Sequence, residues 1–147
     1  MGFQLAIDCA DPDRLVSFWA ATLGYRAQDP PEGHVTWRDF YVSVGVPAEE
    51  LGDGDCADRI VDPAGAGPAI WFQIVPERKT LKNRLHLDVL VGGGRSVPVA
   101  VRRQRVDAEV ERLVRLGATV LSKHDGDTDG QYGVTLADPE GNEFCVA

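Results

Sequence analysis

Apolar and polar positions alternate at the start of the chain. Phe3, Leu5, Ile7 and Cys9 are separated by Gln4, Ala6 and Asp8, a period of two that predicts a strand with one apolar face. Asp11-Pro12 follows as a helix cap and a first-turn proline. Leu15, Val16, Trp19 and Leu23 then recur at helical spacing, with Phe18 flanking the stripe, and Gly24 closes the helix.

The same order begins again at Arg84. Leu85, Leu87, Val89 and Val91 alternate with Arg84, His86, Asp88 and Leu90. Val106, Val110, Leu113 and Val114 then form a helical stripe closed by Gly117, with Asp107 as the expected cap. Asp62-Pro63-Ala64-Gly65 and Asp138-Pro139-Glu140-Gly141 read as turns, each feeding a last strand: 70–75 in one half and 142–146 in the other. Between helix and turn, strands are expected at 34–38 and 40–46 in the first half, and at 118–122 and 132–136 in the second. A strand, a helix and about three strands, given twice, predict an α+β chain of two βαβββ modules. The boundaries are 1–76 and 83–147 within a single domain of 1–147, with a polar linker at 76–82. A ferredoxin-like sandwich repeats a shorter β-α-β unit, and the extra strands count against it.

The inserts differ between the halves. The segment 45–68 is rich in Gly, Asp, Ala and Pro, reads as a loop, and carries Glu49, Glu50, Asp53, Asp55 and Asp58. Gly92-Gly93-Gly94 leads to Arg102, Arg103 and Arg105, read as a solvated helix entry.

Composition narrows the function classes. The net charge of −8 has the wrong sign for a nucleic-acid surface. No apolar run reaches the roughly 20 residues of a membrane span, and the start at Met1 lacks a signal-peptide pattern. Cys9, Cys56 and Cys145 are odd in number and widely spaced, which signals neither a disulfide framework nor a zinc knuckle. A cytoplasmic location is expected.

The stretch from Trp71 through Pro76 to Lys79, then Lys82-Asn83-Arg84-Leu85-His86-Leu87-Asp88-Val89, resembles the centre of glyoxalase-like proteins. Asp138-Pro139-Glu140-Gly141-Asn142 before a final strand is similar to their ending. The wider group is the glyoxalase/bleomycin-resistance/dioxygenase, or vicinal oxygen chelate, superfamily. The resemblance spans Phe3 to Val146. It implies a curved mixed sheet with a concave cleft and helices on the outer face. It also implies that Gln4, Ala6, Asp8, Arg84, His86 and Asp88 line the cleft, with Trp71, Gln73 and Val75, and with Glu143, Cys145 and Ala147. A homodimer and a small-molecule ligand follow from the resemblance alone.

Metal-dependent members place one ligand on the first and last strand of each half. The equivalent positions here are Ala6, Gln73, His86 and Cys145. Ala6 has no donor, so no metal is expected; if one binds, His86, Gln73 and Cys145 would hold zinc or another divalent ion. Asp8 and Asp88 read as strand-end polarity. His86 and Cys145 are the catalytic candidates, a base and a nucleophile; cleft polarity for His86 and apolar filling for Cys145 are the alternatives. Gln73 and Arg84 are ligand-binding candidates, and Trp37, Trp71 and Tyr132 are candidate walls for a flat ligand. His34 and His124 read as surface residues. The expected function is a small-molecule binder or metal-independent enzyme; the alternative is a metal-dependent lyase, isomerase or dioxygenase.

Overall fold

The computed structural model describes residues 2–126 and 132–147, so residue 1 and residues 127–131 lie outside the description. Two compact units divide the chain, Met1–Arg78 and Lys79–Ala147.

The first unit opens with β1 (Leu5–Cys9) and α1 (Pro12–Leu23). Asp11 caps α1 by accepting the Arg14 N–H at 3.1 Å, and Gly24 ends it with φ of 69°, a left-handed conformation that favours glycine. Then come β2 (Arg26–Ala27), α2 (Trp37–Ser43), a 3₁₀ turn at Ala48–Glu50, β3 (Arg59–Val61) and β4 (Ile70–Ile74). The sheet order is β1-β4-β3-β2, with β1 parallel to β4 and the other pairs antiparallel. Leu15, Phe18 and Trp19 of α1 bury with Ile60, Ile70 and Phe72 of the sheet. This is the apolar stripe meeting the apolar sheet face.

The two inner strands of this unit are not where alternation put them. Residues 37–43 are helical because Thr36 and Asp39 form a reciprocal capping box. Phe40, Tyr41 and Val42 favour strands intrinsically, but Phe40 and Tyr41 pack in this helix with Trp37. The strand pairing falls to Arg26–Ala27 and Arg59–Val61 instead, the latter within the segment expected to be a loop.

The second unit holds β5 (Asp88–Val89), α3 (Val99–Arg115), β6 (Thr119–Asp125), β7 (Tyr132–Ala137) and β8 (Glu143–Val146). Its order is β5-β8-β7-β6, the same arrangement as the first. Val106, Val110 and Leu113 of α3 are buried with Val134, Leu136, Phe144 and Val146. The helix begins eight residues before Asp107, behind Pro98, so Asp107 is no cap; its carboxylate accepts the Tyr132 hydroxyl at 2.5 Å. Arg102, Arg103 and Arg105 therefore lie within the helix.

Both Asp-Pro-x-Gly turns close in the same way. Asp62 accepts backbone N–H groups of Ala64, Ala66 and Gly67; Asp138 accepts those of Glu140 and Asn142. Each carboxylate fixes the approach to the last strand of its unit. Among the described residues, no helix is long and apolar enough to cross a membrane.

Candidate functional site

In the first unit, β4 alternates. Ile70 and Phe72 are buried against the helix side, while Trp71 and Gln73 occupy the opposite face, half-buried. The segment from Tyr41 to Asp58 covers that face. Between Trp71 and Gln73 on one side and Tyr41, Val46, Leu51 and Cys56 on the other lies a cavity of about 330 Å³. That volume is at the lower end of small-molecule sites.

Asp58 organises this cavity. Its Oδ2 accepts the Tyr41 hydroxyl and the Trp71 indole N–H, each at 2.8 Å. Its Oδ1 is buried without a hydrogen-bond donor, 3.7 Å from Arg59 Nε. The Arg59 guanidinium lies over the rings of Trp37 and Trp71, 4.8 and 5.5 Å from their centroids. Burial, and then the bond to Asp58, push the Tyr41 hydroxyl up to about 12. At the cavity edge, burial and the neighbouring carboxylates of Asp11 and Asp55 raise the Asp13 pKa. Burial also raises that of the Cys56 thiol, which keeps it protonated and weakly nucleophilic.

In the second unit, a row of polar side chains crosses one sheet face. Parallel register sets Asp88 beside Cys145, and His86 Nε2 is 3.4 Å from Asp88 Oδ1. The donor atoms of His86, Asp88 and Cys145 all lie within 4.8 Å of one another. Cys145 Sγ is 3.5 Å from Thr135 Oγ1, which is 3.0 Å from His124 Nε2. Ser122 Oγ ends the row at 3.1 Å from His124.

An imidazole, a carboxylate and a thiol at these separations fit one divalent ion after small side-chain rotations, given bonds of about 2.0–2.3 Å. Nitrogen and thiolate donors favour a borderline ion such as zinc over magnesium.

A model of the glyoxalase-like domain matches residues 4–147. The chain belongs to the glyoxalase-like family. No curated protein matches its sequence. Among solved structures, a glyoxalase/bleomycin resistance protein/dioxygenase family enzyme from Burkholderia phytofirmans is 16% identical with a TM-score of 0.57, covering 97% of this chain and 94% of that one. The fosfomycin resistance protein FosX from Mesorhizobium loti is 8% identical with a TM-score of 0.56, covering 98% and 87%. A FosX variant from Listeria monocytogenes, complexed with Mn(II) and 1S,2S-dihydroxypropylphosphonic acid, is 10% identical with a TM-score of 0.54, covering 97% and 85%. At these identities the likenesses show the fold.

Within this glyoxalase-like chain the candidate residues separate. Trp71 and Gln73 line the first unit's cavity. Trp37 is 4% exposed, with its indole N–H donated to the Gln28 carbonyl at 2.8 Å, so it is core rather than a ligand wall. His86 and Cys145 meet in the second unit, and Asp88, read from sequence as strand-end polarity, joins them. Arg84 is exposed just before β5. The Tyr132 hydroxyl is committed to Asp107 and its ring face to Arg103, 5.1 Å away. His124 belongs to β6 rather than to a loop, and its strand neighbours Ser122 and Thr135 hold it. Asp58 is barely marked in the sequence. Its only sequence signal is an acid two positions before the buried Ile60, with no periodic pattern around it.

Proposed function

We propose that the protein binds a small organic molecule in the cavity of its first unit, as a sequestering binder or a metal-independent enzyme. The observation that carries this reading is the half-open cavity lined by Trp71, Gln73 and Tyr41. It combines apolar aromatic area with an amide and a phenol that can orient a polar group. The Asp58 bonds to Tyr41 and Trp71 pre-set those two walls, which limits the ordering cost of binding. A fragment screen by NMR, repeated on Gln73→Ala, tests it. Hits that shift the Trp71 indole signal and weaken in Gln73→Ala support the reading; an inert Trp71 signal across the screen removes it.

A second reading rests on His86, Asp88 and Cys145: a metal-dependent lyase, isomerase or dioxygenase. A divalent ion held there would act as a Lewis acid on substrate oxygens. In that case Thr135 orients the Cys145 thiol, and His86 and Cys145 must both be deprotonated to serve as ligands. Elemental analysis of protein purified without chelator decides it. Near one equivalent of metal in the wild type, lost in His86→Ala, supports the reading, whereas metal-free protein whose melting point ignores added zinc refutes it.

We also infer a cytoplasmic homodimer. The odd number and wide spacing of Cys9, Cys56 and Cys145 support a reducing compartment. Light scattering and cell fractionation test the two parts.

A further inference from the structure

Building on the proposed cavity, we infer that its ligand is a small organic cation with an aromatic or apolar body. The charged side chains lining the cavity are all carboxylates: Asp13 at the start of α1, Glu50 from the 3₁₀ turn, and Asp58 before β3. No Lys, Arg or His is among the lining residues. Asp13 and Glu50 form no ion pair among the described residues, whereas Asp58 has Arg59 at 3.7 Å. Asp58 Oδ1 is buried beside Arg59, so the carboxylates open to a ligand are those of Asp13 and Glu50.

The walls suit the same ligand. Tyr41 and Trp71 present aromatic surface, and aromatic faces attract cations. The Arg59 guanidinium rests over Trp71 beside Asp58, a cation on an aromatic face within the same unit. The covering segment adds Glu49, Asp53 and Asp55, and although Arg38 bonds its Ala48 and Gly52 carbonyls and Arg59 faces Asp58, carboxylates outnumber cations around the cavity, which favours a cationic ligand. An anion such as a phosphonate would meet that field unpaired. Like-charge crowding at Asp13, from Asp11 and Asp55, is relieved when a positive group arrives.

The test is a size-matched series of tryptamine, 3-ethylindole and indole-3-propionate, titrated into the full-length protein and followed by 15N NMR at the Trp71 indole and the Gln73 amide. Tryptamine should bind about 10-fold tighter than 3-ethylindole, and indole-3-propionate weakest, as one partly screened charge pair provides. Glu50→Gln should weaken tryptamine several-fold more than it weakens 3-ethylindole. Equal or tighter binding of the neutral or anionic member, at the same two signals, overturns the cation inference and leaves the cavity reading standing. If neither these three compounds nor any member of a general fragment set moves those signals, the cavity reading fails and takes the inference with it.

Discussion

Replacing Asp58 should loosen the first unit and change the titration of Tyr41 together. The carboxylate is 14% exposed, and one oxygen accepts both the Tyr41 hydroxyl and the Trp71 indole at 2.8 Å. A hydrogen bond to a charged group contributes about 1.5–3 kcal/mol. Asp58→Ala removes two, and the Tyr41 hydroxyl can recover part of the loss from water at the cavity. The expected cost is about 3 kcal/mol, a large share of the 5–15 kcal/mol typical of a domain. Asp58→Asn keeps an acceptor oxygen in place and loses the charge, so about 1 kcal/mol is expected. Trp19, Trp37 and Trp71 all belong to the first unit, so tryptophan fluorescence in a urea titration reports its unfolding. Alkaline titration gives the second readout. Tyr41 is pushed up to about 12, first by burial and then by its bond to Asp58. Because the folded value lies above the unfolded value near 10, its stabilising contribution is complete below pH 10 and is lost as pH rises towards 12. In Asp58→Asn the phenolate absorbance of Tyr41 should appear at lower pH, and the alkaline loss of stability should shrink. An unchanged Tyr41 titration, with an Asp58→Ala cost below about 0.5 kcal/mol, refutes the role given to this carboxylate.

Other consequences concern the second unit. Glu143 accepts the Asn83 backbone N–H at 2.9 Å, with Lys79 Nζ at 3.3 Å, and the Asn83 bond leads the effects that bring its pKa down to about 2. Its contribution is therefore present above its ordinary value and lost as pH falls through about 2. Glu143→Gln should flatten the acid limb of a circular-dichroism pH titration over that range, and an identical limb would count against the bond. Asp138 is 3% exposed and satisfies Glu140 N–H, Asn142 N–H and the Asn142 amide. Asp138→Ala should cost about 2–4 kcal/mol in urea unfolding followed by circular dichroism, because the turn before β8 loses its internal acceptor; a loss under about 1 kcal/mol would show that water replaces it.

The sequence makes some of this visible and hides the rest for identifiable reasons. Val134, Leu136, Phe144 and Val146 alternate with polar positions in strands of four residues or more, and the structure buries all four. Arg26–Ala27 and Arg59–Val61 are two and three residues long, too short to show any period. Aromatic content made 37–43 look extended, while the stronger local signal was Thr36 with Asp39 three residues on. The strand expected from Arg84 to Val91 forms only at Asp88–Val89, so His86 lies just before it and Leu85 is exposed; two residues of ladder to β8 are all that pairing supports there. Asp88 reads from the sequence as strand-end polarity, although it pairs in register with Cys145. His124 was hidden by a register shift between Val120 and Ser122, which breaks the alternation of β6 before it reaches the histidine. The cavity was not legible at all, because its roof comes from a segment that carries no repeat of its own.

The claim at the centre is that a ligand sits between Trp71 and Tyr41. Intermolecular nuclear Overhauser effects from a bound cationic probe measure this directly. The account predicts cross-peaks from the probe to the ring protons of both residues and to the Gln73 side chain. Cross-peaks confined to residues outside the cavity would contradict it.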